Sequence, residues 1–121
     1  MPVRYPKEWD WADEAPPHRL SEWTMAPDKM GFYEIGFLKK DFVAMYGGRA
    51  AGVTLRERLH QHRSNSHNEN IKKNRLQLWY RCKAFRTAEL ASFVEALHIV
   101  AMEYPWNKRN EWTQHWALED L

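Results

Sequence analysis

Two tyrosines, an arginine and a histidine are spaced so that they can gather around an anion. Tyr33 and Tyr46 lie in two short runs rich in aromatic and β-branched residues, 31–37 and 42–46, with the polar tip Lys39-Lys40 between them. That pattern predicts a β-hairpin. A tight, symmetric turn sets Leu38 opposite Asp41 and so Tyr33 opposite Tyr46, two phenols facing each other on one side of the ladder. Downstream, Thr54 with Glu57 forms a capping box that starts a helix at Leu55. Helical spacing puts Leu55, Arg58, Leu59 and His62 on one inward stripe. Arg56 and His60 have the same mutual spacing but lie about a quarter turn round, toward solvent. An arginine that points at a core needs an anionic partner or ligand, because burying it alone is very costly. Gly47, Gly48 and Gly52, between hairpin and helix, suit a tight loop and the close backbone approach of a phosphate.

These residues resemble the GIY-YIG endonucleases, a family that includes homing endonucleases, the incision subunit of bacterial excision repair, some restriction enzymes and small phage nucleases. Gly31-Phe32-Tyr33 stands where the family has Gly-Ile-Tyr, and Tyr46-Gly47-Gly48 where it has Tyr-Ile-Gly. Arg49-Ala50 continues like the family's small or polar pair. The family's helix arginine, with His or Tyr one turn later, matches Arg58 and His62. Arg56 and His60 match the commoner count from the second tyrosine, so two registers are open; Leu55 and Leu59, three before and one after, favour Arg58. Glu95 resembles the family's metal-binding glutamate, and Asn107 of Pro105-Trp106-Asn107 its closing asparagine. The resemblance spans residues 31–110. Gly47 in place of isoleucine is expected to loosen the second strand.

The resemblance implies a metal-dependent DNA endonuclease with double-stranded DNA as partner. Phosphodiester hydrolysis needs an activated water, charge stabilisation on the non-bridging oxygens and help for the leaving oxygen. Glu95 would hold one Mg2+ or Mn2+, and Arg58 would grip the scissile phosphate through its fork of donors. Tyr33 would serve as general base or relay, which requires neighbouring cations to lower its ordinary pKa of about 10. Tyr46 and His62 would orient or share that proton, and Asn107 would support the site by hydrogen bonding. A catalytically inactive DNA-binding relative and a protein-interaction module with Trp-rich ends are the alternatives.

The elements that must position these groups make an α+β fold, a small three-stranded antiparallel sheet flanked by helices. The third strand is read at residues 76–85, where Leu76, Leu78, Tyr80, Cys82 and Ala84 alternate with Gln77, Arg81 and Lys83. A helix capped by Thr87 follows, its buried stripe formed by Leu90, Phe93, Val94, Leu97, Ala101 and Tyr104. Glu95 lies off that stripe beside Ala91, Ile99 and Met102, and Pro105 ends the helix. Ser64 to Asn70 reads as a polar loop. From His62 to Arg86 the charge is almost wholly positive, with Glu69 alone opposing it. Arg49, Arg63, Lys72, Lys73 and Arg75 are the candidate DNA contacts.

A length of 121 residues suits one domain. Residues 1–30 form a Pro/Trp-rich arm, punctuated by Pro2, Pro6, Pro16, Pro17 and Pro27. Its Tyr5, Trp9, Trp11 and Trp23 are too much aromatic surface to leave in water, so it is expected to wrap the core. Its acids, Glu8, Asp10, Asp13 and Glu14, argue against DNA contact. Residues 111–121 form a tail with Trp112 and Trp116. The net charge of +2 does not by itself argue for nucleic acid. The single cysteine, Cys82, excludes an internal disulfide and suits a reducing, cytoplasmic compartment. No apolar run approaches the roughly 20 residues of a membrane span, and no secretory h-region is present. His60, His62, His67 and Cys82 fit no closed zinc site, and a nucleophile elbow is lacking. A freestanding nuclease this small would dimerise, or cut twice, to break a duplex, so a homodimer is an expected partner.

Overall fold

The structure is a computed structural model that describes residues 15–87, 89, 93, 95 and 104–107. In chain order come β1 (His18–Arg19), a 3-10 helix (Leu20–Met25), β2 (Gly31–Leu38), β3 (Phe42–Ala50), α1 (Leu55–Asn65), α2 (Glu69–Asn74) and β4 (Trp79–Ala84). The strands form one antiparallel sheet in the order β1-β4-β2-β3. The sheet therefore has four strands, not the expected three. His18 and Arg19 pair with Tyr80 and Trp79, and two residues are too few to show alternation in a sequence. None of the helices among the described residues is long and apolar enough to cross a membrane.

The hairpin differs from its expected register in two places. Its turn takes three residues, Lys39 to Asp41, so Leu38 pairs with Phe42 instead of Asp41. A β-bulge then leaves Met45 as a surplus residue, between the pairs Ile35–Tyr46 and Gly36–Ala44. Each offset alone would turn the side chains of β3 to the other face of the sheet; the two together restore the face. Tyr33 consequently lies opposite Gly48, and Tyr46 opposite Ile35. The phenols are diagonal neighbours rather than a facing pair.

α1 begins where the capping box predicted: the Glu57 backbone N–H donates to Thr54 Oγ1 at 3.2 Å. Its inward stripe buries Leu55, Leu59 and His62, with Arg58 half-buried between them. These leucines pack with Leu20, Tyr33, Ile35, Tyr46, Ile71, Leu78 and Tyr80 into the principal core. Part of the N-terminal arm is built into it: Leu20 is fully buried, and Trp23 packs against the cluster. The segment read as a polar loop, 64–70, is mostly helix instead. α1 runs to Asn65, and the Asn68 side chain accepts from the Asn70 and Ile71 N–H groups to cap α2.

Three further expectations shift. β4 begins at Trp79, and Leu76 is 77% exposed, because residues 75–78 turn out of α2 before pairing starts. Phe93 is exposed rather than part of a buried stripe, whereas Tyr104 is buried. Leu90, Val94, Leu97, Ala101, Trp112 and Trp116 lie outside the described residues, as do Tyr5, Trp9 and Trp11.

The opposite face of β2 holds a second polar group. Glu34, 1% exposed, accepts from Arg81 Nε at 2.6 Å and from the Tyr104 hydroxyl. A buried carboxylate survives folding only with such partners. Arg81→Met should therefore lower the unfolding free energy by about 3 kcal/mol, and Glu34→Gln added to it should recover part of the loss. Urea denaturation of the two variants checks both expectations.

Candidate active site

β2 brings Tyr33 to the centre of the site, completely buried, with its hydroxyl 2.7 Å from His62 Nε2. Tyr46 joins them from β3. The ring centroids stand 6.3 Å apart for Tyr33–Tyr46, 5.4 Å for Tyr33–His62 and 5.4 Å for Tyr46–His62. Gly48 makes this possible, since a Cβ at that position would come within 2.5 Å of the Tyr33 hydroxyl oxygen. Beside the rings opens a pocket of about 420 Å³, lined by Tyr33, Tyr46, Gly48, Arg49, Ala51, Val53, Arg58, His67 and Glu95.

α1 separates the two arginine–histidine pairs. Arg58 lines the pocket and His62 is buried at its base. Arg56 Nε instead donates to the Ala26 carbonyl at 3.1 Å, and His60 stacks on Trp23 at 4.2 Å. Arg56 and His60 therefore anchor the N-terminal segment to the outside of the helix. Arg58 Nη1 donates to Gln61 Oε1 at 3.2 Å, while its Nε is buried with no hydrogen-bond partner among the described residues.

Glu95 reaches the same pocket, with Oε1 3.7 Å from Arg49 Nε. Asn107 stands apart from the lining. Its Oδ1 accepts from the Gly47 N–H and its Nδ2 donates to the Gly47 carbonyl, both at 2.9 Å. Of the basic residues singled out in the sequence, Arg49 lines the pocket, Lys72 and Lys73 are exposed on α2, and Arg63 and Arg75 are half-buried. Two site residues were not singled out as such. His67 is an exposed pocket wall whose ring lies 5.8 Å from that of His62. Ser66 is buried with its Oγ 2.8 Å from His62 Nδ1. The only sequence signal for Ser66 was its spacing of one helical turn from His62.

Burial, and next the Tyr46 phenol, push the Tyr33 pKa well above its ordinary value, against the opposing pull of Arg58. The expectation that neighbouring cations lower it is thus not met. Burial, followed by Arg58 and His67, lowers the His62 pKa to about 3, so the imidazole is neutral near pH 7. Burial also works against the Arg58 charge, but Tyr33, Tyr46 and Glu95 outweigh it and hold the guanidinium protonated. Burial pushes the Cys82 thiol up to about 12, far from a metal-binding thiolate.

Among the described residues no three His, Cys, Asp or Glu side chains group as a metal cage. The donor set at the pocket is one carboxylate, Glu95, 23% exposed and loosely engaged by Arg49. Such a set fits a hard divalent ion that keeps most of its water shell.

Solved structures of the GIY-YIG N-terminal endonuclease domain of UvrC from Thermotoga maritima resemble this arrangement of elements. The magnesium-bound domain gives a TM-score of 0.58 at 21% identity, covering 73% of this chain and 93% of that one. Two point mutants of that domain, each bound to the catalytic divalent cation, give TM-scores of 0.56 and 0.55 at 23% and 22% identity, over 74% of this chain and 93% of theirs. No family model and no curated protein matches the chain. The chain has the fold of a GIY-YIG endonuclease domain.

The neutral His62 has a consequence for stability. Its folded pKa lies below the ordinary 6.5, so the unfolded chain takes up a proton first as pH falls. The stabilisation is complete above pH 6.5 and is lost toward pH 3. Between pH 7 and pH 4 the unfolding free energy should fall by about 3 kcal/mol on account of this residue. Urea denaturation at the two pH values should show a smaller difference for His62→Gln.

Proposed function

We propose that the pocket is the active centre of a metal-dependent DNA endonuclease. The observation that carries this reading is the convergence of Tyr33, Tyr46, Arg58 and Glu95 on one cavity. The cavity sits in a fold shared with an endonuclease domain that binds a catalytic divalent cation. The room available suits a phosphodiester and its attacking water.

Arg58 binds the scissile phosphate and stabilises the charge that develops on its non-bridging oxygens. Glu95 would hold a divalent ion, magnesium or manganese, which when bound would supply further positive charge to the phosphate and the leaving oxygen. Tyr33, after its own hydroxyl proton has left through the pocket to solvent, accepts the proton of the attacking water as general base, its oxygen lying between His62 and the pocket. Tyr46 packs against Tyr33 and His62 and keeps both rings in place. As the water oxygen bonds to phosphorus, the bond to the 3′ oxygen breaks and that oxygen takes a proton from solvent. Asn107 acts at one remove by fixing Gly47, next to Tyr46. Arg49, Arg63, Lys72, Lys73 and Arg75 supply duplex phosphate contacts, which position the DNA without reading its sequence.

Incubation of supercoiled plasmid with the protein and Mg2+ should give nicked or linear DNA, and chelator should abolish the reaction. Arg58→Ala should reduce the rate on the order of 100- to 1,000-fold, the usual effect of losing one preorganised donor. Glu95→Ala should remove the metal dependence together with the activity. Circular dichroism would confirm that both variants fold. DNA binding without cleavage would favour an inactive DNA-binding relative, and absence of DNA affinity an interaction module.

A further inference from the structure

We propose that Ser66 is a positioning residue that holds His62 in the tautomer carrying its proton on Nε2, so that the imidazole donates to the Tyr33 oxygen instead of accepting from it. Its catalytic consequence rests on the pocket being the active centre; the tautomer itself does not.

The argument is a count of hydrogens. His62 Nδ1 and Ser66 Oγ are 2.8 Å apart, and both side chains are buried, at 2% and 5% exposure. Ser66 Oγ already accepts from the Asn68 N–H at 3.1 Å. Asn68 has no freedom to turn away. Its Oδ1 accepts from the N–H groups of Asn70 and Ile71 at the start of α2, and its Nδ2 donates to the Trp106 carbonyl at 2.9 Å. If His62 Nδ1 also donated, Ser66 Oγ would accept two N–H groups and its own hydroxyl hydrogen would have no acceptor. No other hydrogen bond of Ser66 exists among the described residues. A buried hydroxyl hydrogen left without an acceptor is costly, because its desolvation is not made good. Donation from Ser66 to Nδ1 leaves nothing unsatisfied.

His62 is neutral, so a bare Nδ1 puts its one N–H on Nε2, 2.7 Å from the Tyr33 hydroxyl oxygen. That oxygen then accepts from His62 and faces the Arg58 guanidinium, while its own hydrogen is free to point into the pocket. Both neighbours favour negative charge on the phenol oxygen and oppose the effect of burial. The other tautomer would lock the Tyr33 hydrogen into a bond with Nε2 and turn it away from any ligand.

The test is nitrogen-15 NMR of the His62 imidazole in the full chain, without DNA or metal. The expected spectrum has a protonated Nε2 and an unprotonated Nδ1. Ser66→Thr, which keeps the hydroxyl, should preserve it, and Ser66→Ala should shift it toward the other tautomer. A wild-type spectrum with the proton on Nδ1, or an unchanged spectrum in Ser66→Ala, overturns the assignment. In plasmid cleavage, Ser66→Ala should lower kcat on the order of 10- to 100-fold with KM unchanged, and Ser66→Thr should restore it. Cleavage by Ser66→Ala at the wild-type rate would refute the positioning role. A chain that never cleaves DNA but shows the expected tautomer refutes only the active-centre reading.

Discussion

The bulge at Met45 decides which face of the sheet Tyr46 occupies. Without it the three-residue turn would leave Tyr46 on the side of Glu34, and Tyr33 would look across at a glycine with no phenol on its face. β3 is an edge strand, and a bulge in an edge strand leaves backbone groups without ladder partners. Here residues 104–107 supply them. The Trp106 N–H donates to the Met45 carbonyl at 2.8 Å, and the Asn107 side chain pairs with both backbone groups of Gly47. The Tyr104 ring occupies the space of a side chain at Gly47, where a Cβ would stand 2.3 Å from it. Glycine at this position therefore admits a clamp rather than loosening the strand.

β2 places its two buried polar systems on consecutive residues. Tyr33 faces His62 and Ser66; Glu34 faces Arg81 and Tyr104. A slip of one residue would drive the Glu34 carboxylate among Leu55, Leu59 and Ile71, away from Arg81 and Tyr104, and would turn the Tyr33 hydroxyl away from His62. Buried ion pairs add little net stability, because desolvation consumes much of the attraction. Their effect here is to make every other register worse. The surplus residue at Met45 is tolerated because both sides of β2 reject the alternative pairing.

The sequence made legible whatever is local or strictly periodic. The Thr54 cap, the stripe through Leu55, Leu59 and His62, and the inward placement of Arg58 with Arg56 turned aside all follow from helical geometry, and each is found in the structure. The hairpin was legible in kind but not in register, since neither the longer turn nor the bulge leaves a mark in residue type. β1 was missed because two residues have no period, and α2 because its cap, Asn68, reads equally well as a loop residue. Ser66 and His67 sit in the polar run that was read as a phosphate-contacting loop. Ser66 and Asn68 are buried with their polar groups consumed inside the protein, whereas Ser64, Asn65, His67, Glu69 and Asn70 of that run are exposed. The phenol's raised pKa was also out of reach, because it depends on how α1 and β3 bury the ring in the folded chain.

The electrostatics of the pocket follow from these placements. His62, neutral beside Arg58, adds no charge to the wall, so the cationic character rests on Arg58 and Arg49 against the carboxylate of Glu95. Arg58 Nε is buried with no hydrogen-bond partner among the described residues, a state that typically costs about 1–3 kcal/mol and that a protein of marginal stability keeps only under constraint. Leu55 and Leu59 supply that constraint, since both are wholly buried and fix the rotation of α1. Rotating the helix to free Arg58 would pull Leu59 from the core and break the His62–Tyr33 hydrogen bond. The packing of α1 thus holds the guanidinium toward the cavity that Glu95 also lines, and a phosphate oxygen is the kind of acceptor that would complete it.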